Sequence, residues 1–134
     1  MSREGGIDQF VVRDELSADQ ASSIIEQYVE LNLDEQTINF TDAYDEAPLR
    51  VRLLVPLLGV HAISKYNNLD PIAIDPAELA EAADEVIGSA YPEIRELEQE
   101  GVIENVGKQY RVAEVSPEVL SDVFDGDARR QTVG

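Results

Sequence analysis

The chain has 134 residues with no cysteine and one histidine, and its 28 acidic residues against ten basic ones give a formal net charge of −18. The lack of cysteine excludes disulfides, thiolate zinc sites and cysteine nucleophiles, and a single histidine excludes a multi-histidine metal site within one chain. No apolar run reaches the ~20 residues of a membrane-spanning helix and no signal segment opens the sequence, which predicts a soluble, cytoplasmic protein without a membrane partner.

The acidic residues are dispersed, and only two of the ten basic residues are lysine. A dispersed acidic surface that favours arginine over lysine is typical of a salt-rich cytoplasm, where salt suppresses self-repulsion and the screening length falls to ~3 Å. Residues 1–47 hold twelve acids and two bases, a net of −10, whereas residues 48–111 hold eleven acids and six bases, a net of −5. The middle of the chain therefore repels a nucleic acid least.

The first predicted helix follows a flexible N-terminal arm, residues 1–15, which carries little pattern. Ser17 and Gln20 have the spacing of a capping box, in which each side chain accepts a hydrogen bond from the other residue's backbone N–H. Apolar residues then recur at helical spacing as far as Val29. This pattern predicts a helix over residues 17–31.

Residues 35–46 are polar and turn-like, and we expect a loop there with Ile38 and Phe40 as core anchors. The helix and loop together, residues 16–46, form the candidate dimerisation element. Three acids crowd the loop and could bind a cation, but a solvated acidic loop is the favoured interpretation, and no metal site is predicted. These acids are Asp42, Asp45 and Glu46.

Residues 47–66 are mostly apolar and predict a buried helix. Pro56 lies in the middle of it, where proline removes one helical hydrogen bond and clashes with the preceding turn. Two interpretations remain: a helix that kinks at Pro56, which is favoured, or an extended Leu49–Val55 followed by a helix. The helix is expected to end at Asn67 and Asn68.

The next helix should begin at Asp75, after a short strand at residues 72–74. Asp75 would be the cap, Pro76 fits the first helical position, and Glu78 would complete a capping box. Gly88 is expected to make the turn that follows. The predicted inner face of this helix consists of Leu79, Ala80, Ala83, Val86 and Ile87.

A third helix is predicted from Ser89 to Glu100, with Gly101 as its C-terminal cap. Ile94 and Leu97 should face inward. Two strands, 102–106 and 110–115, are then expected around a tight turn at residues 107–108. A last short helix should begin at residues 116–118.

The order helix, short strand, helix, turn, helix and hairpin is that of a winged helix-turn-helix, whose third helix enters the major groove while its wing touches the backbone. The predicted fold class is mainly α with a small β-wing. The winged helix-turn-helix domain spans residues 47–115. It carries an added N-terminal helix, a short C-terminal helix at residues 116–125 and a flexible tail at residues 126–134.

Two segments of this region resemble a known family. Ser89-Ala90-Tyr91-Pro92, followed by Leu97-Glu98-Gln99-Glu100-Gly101-Val102-Ile103, resembles the recognition helix and wing of PadR-like transcriptional regulators, here of haloarchaeal type. The resemblance covers roughly residues 48–113. It implies a homodimeric, sequence-specific DNA-binding regulator on a pseudo-palindromic duplex. The family's long C-terminal dimerisation helices are absent, which makes the helix at 17–31 the candidate substitute.

The predicted DNA contacts lie on the third helix and the wing. Tyr91 can instead pack on the preceding helix, and Ser89 is expected to act first as a helix cap. Arg95 can instead pair with Glu96 or Glu98. The full set of candidate contacts is Ser89, Ala90, Tyr91, Arg95, Lys108, Gln109 and Arg111.

Other charged residues favour structural roles. Arg50 and Arg52 are expected to pair with Asp45 and Glu46 rather than grip a DNA backbone. His61 lies on an apolar helix and is expected to be a partly buried structural residue. The two arginines of the tail, at positions 129 and 130, could enter a minor groove, but a solvated tail is favoured.

Four glutamates on the third helix argue against counterion release as the main source of affinity for DNA. Shape, hydrogen bonds and cations that bridge carboxylates to phosphates would have to contribute more. The same glutamates favour the alternative function, a winged helix that contacts protein without binding DNA. No nucleophile, base and oxyanion donor come together in the sequence, so neither an enzyme nor a cofactor is predicted.

Overall fold

The computed structural model describes residues 16–114 and 117–124, which form six helices and two antiparallel hairpins. This is a mixed α/β fold, and its order is compatible with a winged-helix-like fold. The predicted arm and tail lie outside the described residues. The elements are α1 Ala18–Ile25, β1 Val29–Asn32, β2 Thr37–Phe40, α2 Asp42–Asp45, α3 Leu49–Tyr66, α4 Pro76–Ala82, α5 Ile87–Gln99, β3 Ile103–Val106, β4 Gln109–Val112 and α6, residues 117–124.

Helix α3 is the centre of the core. Its apolar residues are buried around most of its circumference, with Leu53, Leu54 and Leu58 all fully covered. Such a helix must be surrounded by other elements. Helix α1 packs on it, and so do α4, α5 and β4. The second hairpin, through β4, is therefore anchored to the same central helix as α1, α4 and α5.

Helix α3 continues through Pro56 for 18 residues, so the extended alternative for its first half is wrong. Proline has no N–H, and the carbonyl of Arg52, four residues earlier, loses its helical donor. The Tyr44 hydroxyl lies 2.7 Å from this carbonyl oxygen and 3.0 Å from that of Ala82. A side chain from α2 thus replaces the missing backbone donor, which explains how proline is accommodated in a buried helix.

The N-terminal helix is shorter than predicted. The capping box forms, since the Ser17 N–H donates to Gln20 Oε1 at 2.9 Å and the Gln20 N–H donates to Ser17 Oγ at 3.1 Å. The helix ends at Ile25, however, and Val29 begins a strand. The predicted helix at 17–31 is wrong in its last third because the chain there alternates apolar and polar residues at the period of a strand.

The predicted loop at 35–46 is also wrong, because its first part is strand β2 in a hairpin with β1, turned at Gln36 with φ 60°. Ile38 is a core anchor, as expected. A Cβ built on Gly59 of α3 would lie 2.7 Å from Ile38 Cδ1, so Ile38 packs directly against the backbone of α3 and its side chain would have to shift if Gly59 were alanine. Phe40 is not buried, since it is 42% exposed and stacks on Tyr44 with 4.3 Å between ring centroids.

The boundary between α4 and α5 differs from the prediction. Helix α4 ends at Ala82, and Asp84 makes the turn with φ 59°. Val86 is the N-cap of α5 and Gly88 lies inside that helix. Val86 and Ile87 are 69% and 46% exposed, so they do not belong to the inner face of α4.

At the start of α4, Pro76 occupies the first turn as predicted, but the Asp75 side chain makes no capping hydrogen bond. The predicted strand at 72–74 reduces to one bridge between Ile74 and Tyr110. This bridge still fastens the segment before α4 to strand β4, with N···O distances of 2.7 and 2.8 Å.

The second hairpin follows the prediction closely. Gly101 ends α5 with φ 82°, and Ile103 pairs with Val112 across β3 and β4. Gly107 and Lys108 have φ values of 59° and 73°, as a type I′ hairpin turn requires. Among the described residues, no helix has the length and apolar character to span a bilayer.

Candidate nucleic-acid interface

Helix α5 is held by a buried stripe of three side chains, Ala90, Ile94 and Leu97, each with no exposed surface. Two of these confirm the predicted inner face. Ala90, however, was a candidate contact, and its burial removes its side chain from the surface available to a ligand. Ser89 lies in the first turn of α5 and is exposed, but Val86 is the cap, so the predicted capping role of Ser89 is wrong.

A buried arginine binds three of the glutamates of α5. Arg50, at the start of α3, is 7% exposed, and its Nε lies 2.9 Å from Glu93 Oε2. Its Nη2 lies 3.1 Å from Glu96 Oε1. The guanidinium holds Glu100 with both terminal nitrogens, each at 2.7 Å. The predicted pairing of Arg50 with the acids of the 42–46 loop is therefore wrong.

The spacing of the three glutamates explains this arrangement. Glu93, Glu96 and Glu100 lie at i, i+3 and i+7 and share one stripe of the helix. The side-chain hydrogen bond to Glu100 is the main cause that raises the pKa of Arg50, against the opposing effect of burial. Charge-assisted bonds of this kind are the strong ones in proteins. Three of the four glutamates between 93 and 100 are thus turned towards α3.

Arg95 projects from a different side of the same helix. It follows Glu93 by two residues, which is a rotation of about 200° around the helix axis. Its guanidinium carbon lies 5.8 Å from the centre of the Tyr91 ring. Arg95 makes no salt bridge within the described part of the chain, so the alternative pairs with Glu96 and Glu98 do not form.

Tyr91 connects α5 to the wing. Its side chain is 39% exposed and lies one turn before Arg95. On strand β4, Tyr110 is 2% exposed. Burial is the largest cause that raises the pKa of Tyr110, and a hydrogen bond with Tyr91 contributes in the same direction, while one with Asn105 lowers it. Arg95 thus lies beside the Tyr91 ring, and the interaction of Tyr91 with Tyr110 links α5 to strand β4 near the turn of the hairpin.

The two basic residues of the wing differ in their environment. Lys108 is exposed at the turn, and its side chain has no ion pair with any described residue. Arg111 lies opposite Glu104 in the β3–β4 register, and its Nε is 2.5 Å from Glu104 Oε2. A phosphate contact by Arg111 would have to compete with this pair, whereas Lys108 would lose nothing. Gln109, the residue after Lys108, is also exposed.

The remaining charged residues that the sequence singled out are structural. Arg52 donates from Nε to the Ala47 carbonyl at 2.9 Å and from Nη1 to the Ala83 carbonyl. Its carboxylate neighbour is Glu85, at 3.8 Å, and not the predicted Asp45 or Glu46. His61 is partly buried, as predicted, and its Nε2 lies 2.8 Å from the Leu16 carbonyl oxygen.

An apolar surface at the start of α5 was not predicted from the sequence. Val86 and Ile87 are exposed beside a shallow depression of about 450 Å³, which Ala77 and Ala80 of α4 also line. Glu81 and its acidic neighbours rim it. In the sequence, this surface is marked only by two adjacent apolar residues, Val86 and Ile87, before a glycine. Their helical spacing predicted a place in the core.

Comparisons of this chain with family models, with curated proteins and with solved structures found no match. The surface around α5 and the second hairpin is therefore defined by its own geometry: a helix bound to its neighbour through Arg50, an exposed Tyr91–Arg95 pair, and a hairpin with a lysine at its turn. The class that this geometry supports is a mixed α/β domain with an exposed helix and hairpin.

Proposed function

We propose that the chain is a winged helix-turn-helix transcriptional regulator that binds duplex DNA as a homodimer in a high-salt cytoplasm. Helices α3, α4 and α5 supply the three-helix unit, α5 is the recognition helix and β3–β4 is the wing. The PadR-like pattern around Tyr91 and Pro92 supports the same assignment. In this fold the exposed helix inserts into the major groove and the wing contacts the backbone.

The observation that carries the proposal is the engagement of Glu93, Glu96 and Glu100 by Arg50. An acidic recognition helix would repel phosphates if its carboxylates projected freely. Here three of them are bound on one flank, and the side that carries Tyr91 and Arg95 is free of ion pairs among the described residues. The fourth glutamate, Glu98, follows Arg95 by three residues and lies on that same side. The proposed contact surface of α5 therefore carries one carboxylate and one cation, whereas the helix sequence as a whole carries four carboxylates and one cation.

The candidate contacts divide into two groups under this proposal. Ser89, Tyr91 and Arg95 approach the groove from α5, where an arginine can form two hydrogen bonds to guanine. Lys108 and Gln109 approach a phosphate from the wing. A two-fold dimer would place two α5 helices one DNA turn apart, ~34–36 Å, on a pseudo-palindromic site. Residues 16–46 are the proposed dimer contact.

A gel-shift selection against genomic fragments in molar KCl tests the proposal. We expect specific fragments to be retained by the native protein and lost with Lys108→Glu or Arg95→Glu. Lys65→Glu provides the matched control, because Lys65 is the only other lysine and lies at the end of α3. Equal binding by Lys65→Glu and Lys108→Glu variants, or no retained fragment, would count against DNA recognition by the wing.

A second candidate function has one specific observation in its favour. Val86 and Ile87 are exposed at the first turn of α5, where a DNA-binding helix would approach the phosphates, and acidic residues surround them. Exposed apolar residues beside a depression are typical of protein contacts. If no fragment is retained while Val86→Ser abolishes self-association or partner binding, the domain is a protein-interaction module.

A further inference from the structure

A second surface of the molecule lies at the other hairpin. A groove of about 380 Å³ runs between α1 and β1. Three apolar residues, Val29, Leu31 and Leu33, line one side of it, and Asp19 and Glu26 of the α1 region line the other. The proposed DNA contacts on α5 and the wing do not include this groove, which lies within the proposed dimer contact at residues 16–46.

Two serines of α1, Ser22 and Ser23, also line the groove, and Ser22 has an unusual environment. Its Oγ is buried, and it has no hydrogen-bond partner in the part of the chain that the structure describes. A helical serine ordinarily bonds back to the carbonyl four residues earlier or points to solvent. The Ser22 hydroxyl does neither, so the structure leaves an unsatisfied polar atom beneath the groove.

The same groove borders an edge strand. Among the described residues, strand β1 pairs only with β2, in a two-stranded sheet. The Thr41 N–H donates to the Tyr28 carbonyl at 2.9 Å, so Tyr28 and Thr41 form a hydrogen-bonded pair. In the register of the two strands, the next pair is Val29 with Phe40. Hydrogen-bonded and non-bonded pairs alternate along antiparallel strands. The backbone N–H and C=O groups of Val29 and Leu31 therefore point away from β2, at the free edge.

The segment of the chain that forms the groove carries charge of one sign only. Residues 16–49 contain eight acidic residues and no lysine or arginine. The eight are Asp19, Glu26, Glu30, Asp34, Glu35, Asp42, Asp45 and Glu46. A ligand for this part of the surface must be cationic where it meets the rim and apolar where it enters the groove.

We propose that the groove between α1 and β1 binds an extended segment of another protein in which apolar side chains alternate with lysine or arginine. The segment adds to the free edge of β1, the mode in which main-chain bonds give affinity and alternate side chains give specificity. Its apolar side chains contact Leu31 and Leu33, and its cations meet Asp19 and Glu26. The proposal does not use the DNA contacts of α5 and the wing, but it shares residues 16–46 with the proposed dimer contact, so the bound segment and a second copy of this chain would compete for this surface.

The probe is a fluorescent ten-residue peptide that alternates valine with arginine, titrated against the full-length protein in 1 M KCl. We expect saturable binding that weakens at least tenfold in an Asp19→Lys/Glu26→Lys variant. The matched control is Asp42→Lys/Glu46→Lys, which makes the same charge change outside the groove and should bind as the native protein does. Thermal melts identify any variant that does not fold.

Backbone methylation of the peptide tests the strand geometry. With a single free edge, only alternate peptide N–H groups bond to β1, so N-methylation of one alternating set should abolish binding and N-methylation of the other set should not. Equal effects of both sets, or equal binding of a valine–glutamate peptide, would overturn the proposal. Tighter peptide binding by a full-length Arg129→Glu/Arg130→Glu variant would also overturn it, because the chain's own residues would then be the occupant.

Discussion

The guanidinium of Arg50 binds both carboxylate oxygens of Glu100, with two N···O distances of 2.7 Å. Arg50 lies in the first turn of α3, and Glu100 is the C-cap of α5. Glu93, almost two turns earlier, bonds to the same guanidinium. One buried side chain therefore fixes α5 against α3 and holds three of its carboxylates on the α3 side of the helix.

Replacement of Arg50 by methionine tests this role. The change leaves three partly buried carboxylates together without a cation. Removing one partner of a buried ion pair costs about 3–5 kcal/mol of stability. Because these glutamates are partly hydrated, we expect the substitution to lower the free energy of unfolding by about 2–3 kcal/mol. Denaturant unfolding in molar KCl measures it. Arg95→Met, the exposed control on α5, should change stability by less than about 0.5 kcal/mol; equal losses would show that Arg50 has no special role.

The Tyr44 hydroxyl and Pro56 form a pair that a double-mutant cycle can measure. Tyr44→Phe leaves the Arg52 carbonyl without its side-chain donor, which should cost about 1–3 kcal/mol. Pro56→Ala supplies a backbone N–H to the same carbonyl, so Tyr44→Phe should cost less in that background. Additive effects of the two substitutions on the free energy of unfolding would contradict the explanation of how Pro56 is accommodated.

The pH dependence of stability provides another test of Tyr44. Burial raises the pKa of Tyr44 well above its ordinary value of 10.0, against the lowering effect of Arg52. The folded state therefore retains this proton more tightly than the unfolded state does. Its contribution to stability is complete below pH 10 and is lost as the pH rises above 10, at up to about 1.4 kcal/mol per pH unit. Between pH 10 and 12, stability should fall less steeply in Tyr44→Phe than in the native protein.

Lys108 combines a charge with an unfavourable backbone conformation, and the two can be separated. Its φ of 73° lies in the left-handed region, which asparagine tolerates better than lysine. Lys108→Asn should stabilise the fold by about 0.5 kcal/mol and should still weaken DNA binding, because the cation is gone. Thermal melts and gel shifts on the same variant measure both effects. Unchanged DNA binding would remove Lys108 from the contact surface.

Local chemistry explains which elements could be predicted from the sequence. The Ser17–Gln20 capping box, the stop at Gly101 and the hairpin turn at 107–108 each depend on residues close in sequence, and each forms. The segment at 29–40 was misassigned because an amphipathic helix pattern ran on into two short alternating strands. Apolar residues at helical and strand spacing cannot be told apart over so few positions.

The candidate site was only partly predictable for a different reason. Arg50 is more than 40 residues from the glutamates it binds, so no local pattern could assign that pairing. Local spacing suggested the acids of the 42–46 loop instead. Likewise, α4 ends one turn earlier than the apolar periodicity predicts, because Asp84 adopts a left-handed backbone conformation there. Val86 therefore lies beyond the end of α4 and is exposed. Long-range ion pairs and helix ends were thus the features that only the structure supplied.

The measurement that tests the central claim most directly is the salt dependence of specific DNA binding. Fluorescence anisotropy with a duplex recovered from the genomic selection gives the affinity from 0.1 to 3 M KCl. Because Arg50 binds three of the four α5 carboxylates and few cations face the phosphates, we expect specific binding that holds or strengthens with salt, with cations bridging carboxylates to phosphates. A steep, monotonic loss of affinity as salt rises, or the absence of any specific duplex, would contradict the account.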